Sequence, residues 1–224
     1  MIEDAVVARV RTILDYNKTS SELDGLDVMG GLDLDTIIRD SIPGALQQLV
    51  MVAPIEMLGI MTQSEEVKRV VGQPTTLLQM PYTMEMPSDY LRFVSCQAEE
   101  WDYPVTVLTE AGSKEHQKQY SEFGGMKATV HNPIAVMQMK DDAMSIVLFG
   151  GSETRKVSLH YISTPSVETL DARLQEPLCY IVASLVCEVL KDTNKSQMLM
   201  QTAQSLMVTA EAIGQNINNT NTEQ

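Results

Sequence analysis

The feature that most constrains the fold of this chain is an apolar run near its C-terminal end. Leu178, Ile181, Val182, Leu185, Val186, Val189 and Leu190 stand at i, i+3, i+4, i+7, i+8, i+11 and i+12, with Pro177 suited to the first turn. Side chains at that spacing share one face of a helix, and a stripe so wide must be covered by other elements. A second helix is expected to start near Ser196. Along it Leu199, Ala203, Leu206, Ala210 and Ile213 step by four and three, a narrow, unpaired heptad seam suited to a partner helix. At the other end of the chain, Ile2, Val6, Val10, Ile13 and Leu14 predict an amphipathic helix over 2–16. Ile37, Ile38, Ile42, Ala45, Leu46, Leu49 and Val50 predict another over 34–52. Pro43-Gly44 lies inside it and predicts a kink near 39–41. Asp33 and Asp35 are expected to cap its positive end.

Between these helices the pattern changes. Residues 17–31 are rich in Ser, Asp and Gly and read as a loop, while 55–72 fits neither period. Thr76–Met80, Leu91–Ala98 and Val105–Leu108 are rich in strand formers. The polar stretch 112–123 reads as an exposed helix or loop, with His116 solvated. Runs at 133–139, 144–149 and 155–162 follow, separated by turns at 140–142 and 150–153. Connections so tight predict an antiparallel meander. The expected fold class is α+β. Helices from 1–72 and 165–215 form a core, an antiparallel β-rich region at 73–164 is inserted, and 216–224 is a flexible polar tail. A single α+β domain is the alternative.

A chain of 224 residues can bury a sizeable core, and its mean hydropathy of -0.07 is that of an ordinary globular protein. Aromatics are sparse, while the 15 methionines suit an adaptable core or contact surface. The net charge of -14 excludes a surface that grips nucleic acid, because phosphates need clustered Lys and Arg. It is compatible with a wall that repels DNA sliding past. Cys96, Cys179 and Cys187 form no CxxC pair and fit a reducing compartment. Residues 1–4 begin neither a basic nor an apolar leader region, so no signal peptide is expected. No apolar run reaches the roughly 20 residues of a membrane span. The Asn-x-Ser/Thr triplets at Asn17, Asn194 and Asn218 therefore carry no glycosylation meaning.

Candidates for chemistry each have a simpler role. Cys96 with His116, His131 or His160 could pair a thiol with a base, but Cys96 sits in an apolar strand away from any motif. Glu99-Glu100 on a strand would point to opposite faces, and Asp141-Asp142 is ordinary turn composition. Asp24, Asp27, Asp33 and Asp35 miss the spacing of a calcium loop. Gly124-Gly125 and Gly150-Gly151 lack the frame of a phosphate loop. No catalytic, cofactor or metal residue is assigned, and the expectation is that the chain is not an enzyme.

One stretch carries a family resemblance. Pro87-Ser88-Asp89-Tyr90-Leu91-Arg92-Phe93-Val94-Ser95, then Trp101 followed by Tyr103-Pro104-Val105, resembles the head-to-tail adaptor (connector ring) proteins of tailed bacteriophages. The resemblance is nearest to the ring proteins of crAss-like phages and more distant to tail tubular protein A of short-tailed phages. The helix that contains Asp35-Thr36-Ile37-Ile38 and ends at Ala53-Pro54, and the closing helical pair, fit the same plan. The resemblance implies a structural virion protein of the neck or tail, assembled in the host cytoplasm, that forms a homo-oligomeric ring of twelve copies. It implies docking on the portal protein, contact with neighbouring tail or ring proteins, and passage of DNA through the lumen without specific binding. Under it, Leu199, Ala203, Leu206, Ala210, Ile213, Asn216 and Asn218 are the candidate subunit or partner interface. Another neck or tail-completion protein shares all these features; a cytoplasmic ligand-binding or enzymatic domain is the reading from a different class.

Overall fold

A computed structural model describes residues 2–15, 33–69, 81–140, 143–151 and 156–221, the backbone alone for 15, 68–69, 140 and 210–221. The chain is α+β and divides into two compact units. One joins residues 1–59 to 164–224; the other is 60–163.

The first unit is helical, with α1 (Glu3–Asp15), α2 (Leu34–Val52), α4 (Ala172–Val189) and α5 (Thr193–Asn221); α3 (Lys114–Lys118) belongs to the other unit. Helix α4 is its centre, packing on α1, α2 and α5. The periodic run is buried through its first turns, but Leu185 and Leu190 are only half-buried and Val189 is exposed, because the stripe outruns the helices that cover it. Leu174, Leu178, Ile181, Val182 and Val186 are fully buried, as are Cys179 and Cys187, and burying each large aliphatic side chain is worth about 1.5–3 kcal/mol. Pro177 is not in the first turn. The helix begins earlier, where the Asp171 carboxylate accepts from the Arg173 N–H at 2.8 Å, and Pro177 lies inside it. Val6, Val10, Ile38, Ala45 and Leu49 complete this core. Across the α1–α2 surface, Arg39 reaches Asp4 and Arg11 reaches Asp35. These exposed pairs orient more than they stabilise. Asp33 holds the N-cap position of α2, but its side chain makes no capping bond, and Asp35 serves Arg11 instead. Helix α2 runs continuously through Pro43. The last helix starts at Thr193, before Ser196, and its backbone stays helical to Asn221, well into the segment expected to be a flexible tail.

The second unit holds β1 (Ile60–Glu66), β2 (Lys68–Arg69), β3 (Tyr82–Glu85), β4 (Tyr90–Ala98), α3 (Lys114–Lys118), β5 (Ile134–Lys140), β6 (Ala143–Phe149) and β7 (Lys156–Ser163). They form two antiparallel sheets, in the orders β1-β7-β4 and β2-β3-β6-β5. The expected meander breaks at this point. β5 and β6 pair as a hairpin from Ile134↔Phe149 to Lys140↔Ala143, but β7 leaves for the other sheet, where it pairs with β1 and β4. Leu159, Cys96, Trp101, Met84, Ile146 and Leu148 make one core with residues from both sheets. The opposite face of β5–β6, with Val136, Val147 and Phe149, is covered by Ala128, so β6 is buried on both faces.

Val105–Leu108 is not a strand. It belongs to a strap that touches one edge of each sheet. Val105 exchanges both backbone bonds with Cys96 at 2.8 Å, and Thr109 N–H reaches the Ala135 carbonyl at 2.8 Å. The strap thereby closes the free edges of β4 and β5, which would otherwise invite pairing with another chain. The expected strand at 76–80, the loop at 17–31 and parts of the turns at 140–142 and 150–153 lie outside the described residues.

Candidate functional site

The surface singled out by sequence is the hairpin of α4 and α5. Its turn needs a left-handed residue, and Lys191 supplies it with φ 62°. The Lys195 ammonium donates to the Leu14 carbonyl at 3.3 Å, tying the start of α5 to the end of α1. Between the helices Ser184 Oγ donates to the Ser196 carbonyl at 2.9 Å, and Ser196 Oγ donates to Glu188 Oε1 at 3.0 Å. Both serines are buried and satisfied, which small residues at a close helix approach allow.

The predicted seam is partly spent inside the subunit. Leu199 and Ala203 are buried, and so is Met207, while Leu206 is only half-buried. α5 therefore lays 199, 203 and 207 inward, a spacing of four and four, because a straight helix drifts from a strict heptad. The seam is not an unpaired face along these turns: α4 is its partner. Ala210, Ile213, Asn216 and Asn218 lie on the helical backbone, and their side chains fall outside the described residues. Beside the seam is an open groove of about 470 Å³, lined by Tyr180 of α4, by Asp192 of the turn and by Asn194, Lys195, Met198, Leu199 and Thr202 of α5. Met198 and Val208 stand 69% and 66% exposed on the remainder of the helix.

The candidate chemistry is not brought together. The Cys96 thiol is fully buried, and desolvation pushes it up to about 12, so no thiolate nucleophile is available at neutral pH. His160 follows Leu159 on β7 and so faces away from the core, where its Nδ1 pairs with Thr62 Oγ1 at 2.9 Å. His131 pairs with Asp102 at the surface. His116 is only partly solvated. It packs edge-on against Tyr120 and Phe149, and its Nδ1 accepts from the Gly112 N–H at 2.9 Å. That bond requires the neutral ring, and burial lowers its pKa. Cys179 is also pushed up to about 12, mainly by burial.

No protein-family model matches the chain, and no curated protein matches its sequence.

Glu99 and Glu100 lie in a turn after β4, and Gly124-Gly125 begin a short 3-10 turn in open space. Gly150 has a backbone role. Its φ is +112°, and a Cβ there would lie 2.6 Å from the Thr129 carbonyl. Among the described residues no three His, Cys, Asp or Glu side chains group as a metal site, and no helix is long and apolar enough to cross a membrane. What the sequence reading missed is the exposed outer surface of α5. Its signal is the absence of charge, which a search for apolar periodicity passes over.

Proposed function

We propose that the chain is a structural virion protein, a head-to-tail adaptor that forms a ring under the phage portal and extends the channel through which the genome leaves. The observation that carries this reading is the stretch from Pro87 to Val105, which bears the resemblance to adaptor ring proteins. In this chain it is a coherent piece of architecture. A turn at Ser88-Asp89 feeds β4, the Tyr161 hydroxyl donates to Asp89 at 3.1 Å, and Trp101 is buried before the strap returns to Cys96. The net charge of -14 supports a lumen that does not hold DNA.

Electron microscopy of the purified protein, alone and mixed with its portal, tests the reading. Rings that cap the portal are expected. Rings that ignore the portal favour another neck or tail-completion protein, and a chain that neither forms rings nor binds the portal ends the connector reading.

A further inference from the structure

Helix α5 is almost free of charge in a chain that is 21% charged. From Ser196 to Thr209 there is no Asp, Glu, Lys, Arg or His, and Glu211 is the sole charged residue between 196 and 221. A solvated helix face on a soluble protein normally carries charges at regular intervals. Among the described side chains of α5 the buried ones are Ser196, Leu199, Ala203 and Met207, so core packing accounts for that inner side.

The outer side has a composition of its own. Met198, Thr202, Ser205 and Thr209 follow at steps of four, three and four, and Gln201 and Val208 flank them. All six are exposed. Each hydroxyl of the stripe is turned back on its own helix. Thr202 Oγ1 donates to the Met198 carbonyl at 2.9 Å, Ser205 Oγ to the Gln201 carbonyl at 3.0 Å, and Thr209 Oγ1 to the Ser205 carbonyl at 2.9 Å. Donors committed in this way no longer need water, so covering the stripe leaves few polar groups unsatisfied. At its N-terminal end the stripe opens into the 470 Å³ groove beside Tyr180, which is large enough to take a protruding side chain.

We propose that this outer face of α5 seats α5 of a second copy of the same chain. The charge balance selects that occupant. Two chains of net charge -14 repel at long range and can approach closely only along a surface that adds no charge of its own. A basic partner would instead be met by carboxylates, and the stripe from Met198 to Thr209 has none; the groove at its end holds Asp192 with Lys195 beside it, one charge of each sign. Depletion of charge with exposed methionine is also the composition of an interface core. The inference stands without the connector reading, since it concerns only contact between copies.

The test is sedimentation of the full chain. The wild type is expected to run above the mass of one chain, more so at high salt, where screening relieves the net repulsion. Val208→Glu and Thr202→Glu, each at an exposed position, should weaken assembly at least about tenfold. Gln47→Glu adds the same charge to the exposed surface of α2 and should leave assembly unchanged. Far-UV circular dichroism confirms that each variant is folded. A monomeric wild type, assembly that weakens with salt, α5 variants that assemble as the wild type does, or a Gln47→Glu chain as impaired as they are would each overturn the proposal. Failure of the connector reading looks different: assembly through α5 persists while the portal is not bound.

Discussion

Helices α4 and α5 are joined by a three-residue turn at 190–192, yet they are built to opposite rules. α4 is enclosed by three helices and buries side chains on nearly every turn, whereas α5 packs chiefly on α4 and leaves most of its described side chains exposed. Between these extremes lies the 112–128 segment, which covers one face of the β5–β6 hairpin yet leaves Phe123 and Met126 exposed. The lesson is that burial and absence of charge are separate properties. In α4 they coincide because the core demands both. In α5 the absence of charge extends to a surface that the subunit itself does not cover.

The largest effect should come from the enclosed helix. Ile181→Ala, at a fully buried site, is expected to cost about 3 kcal/mol in denaturant unfolding. A cost under about 1 kcal/mol would mean that α4 is not the centre of the unit. Ala203→Leu probes the tight approach of the two helices, and overpacking there should cost about 2 kcal/mol. The 112–128 cover should respond to acid. His116 is held neutral, with a pKa below the ordinary 6.5, so the folded chain binds fewer protons than the unfolded one. The stability of that contact is complete above about pH 6.5 and is lost as pH falls through the lowered value. A pH series of unfolding midpoints should show this fall, and His116→Gln should flatten it. Val208→Ser, on the open face of α5, should change the stability of the isolated chain by no more than about 0.5 kcal/mol. If it costs as much as Ala203→Leu, the outer face is not outer, and the contrast between the helices fails.

Much of the helical unit was legible, because amphipathic helices advertise themselves by period. The errors have local causes. Pro177 looked like a helix start, but Asp171 supplied a better N-cap six residues earlier. Strand β1 was unreadable because it is an edge strand: its residues are exposed or half-buried along the whole length, so no alternation marks it. The step from β6 to β7 was misread because a short connection looks the same whether the chain turns back or crosses to another sheet. Val105–Leu108 has strand composition, yet as a strap it meets β4 and β5 only at Val105 and Thr109. At the candidate interface the heptad correctly picked Leu199 and Ala203 as an apolar pair. It chose Leu206 where the straight helix buries Met207. It also looked for a partner on the face that α4 already occupies.

The division of the chain has a consequence for the order in which the protein is made. α1 and α2 leave the ribosome first, but the helix they pack on begins only at Ala172. Strand β1 likewise waits for β7, since Ile60 pairs with Ile162. A nascent chain therefore carries two apolar helix faces through the synthesis of the entire insert, with the loop-closure entropy of about a hundred residues still to be met. A chain that stops just before Ala172 holds every strand of the 60–163 unit but leaves the helical unit without its centre. Closure of the helical unit therefore waits for α4 and α5.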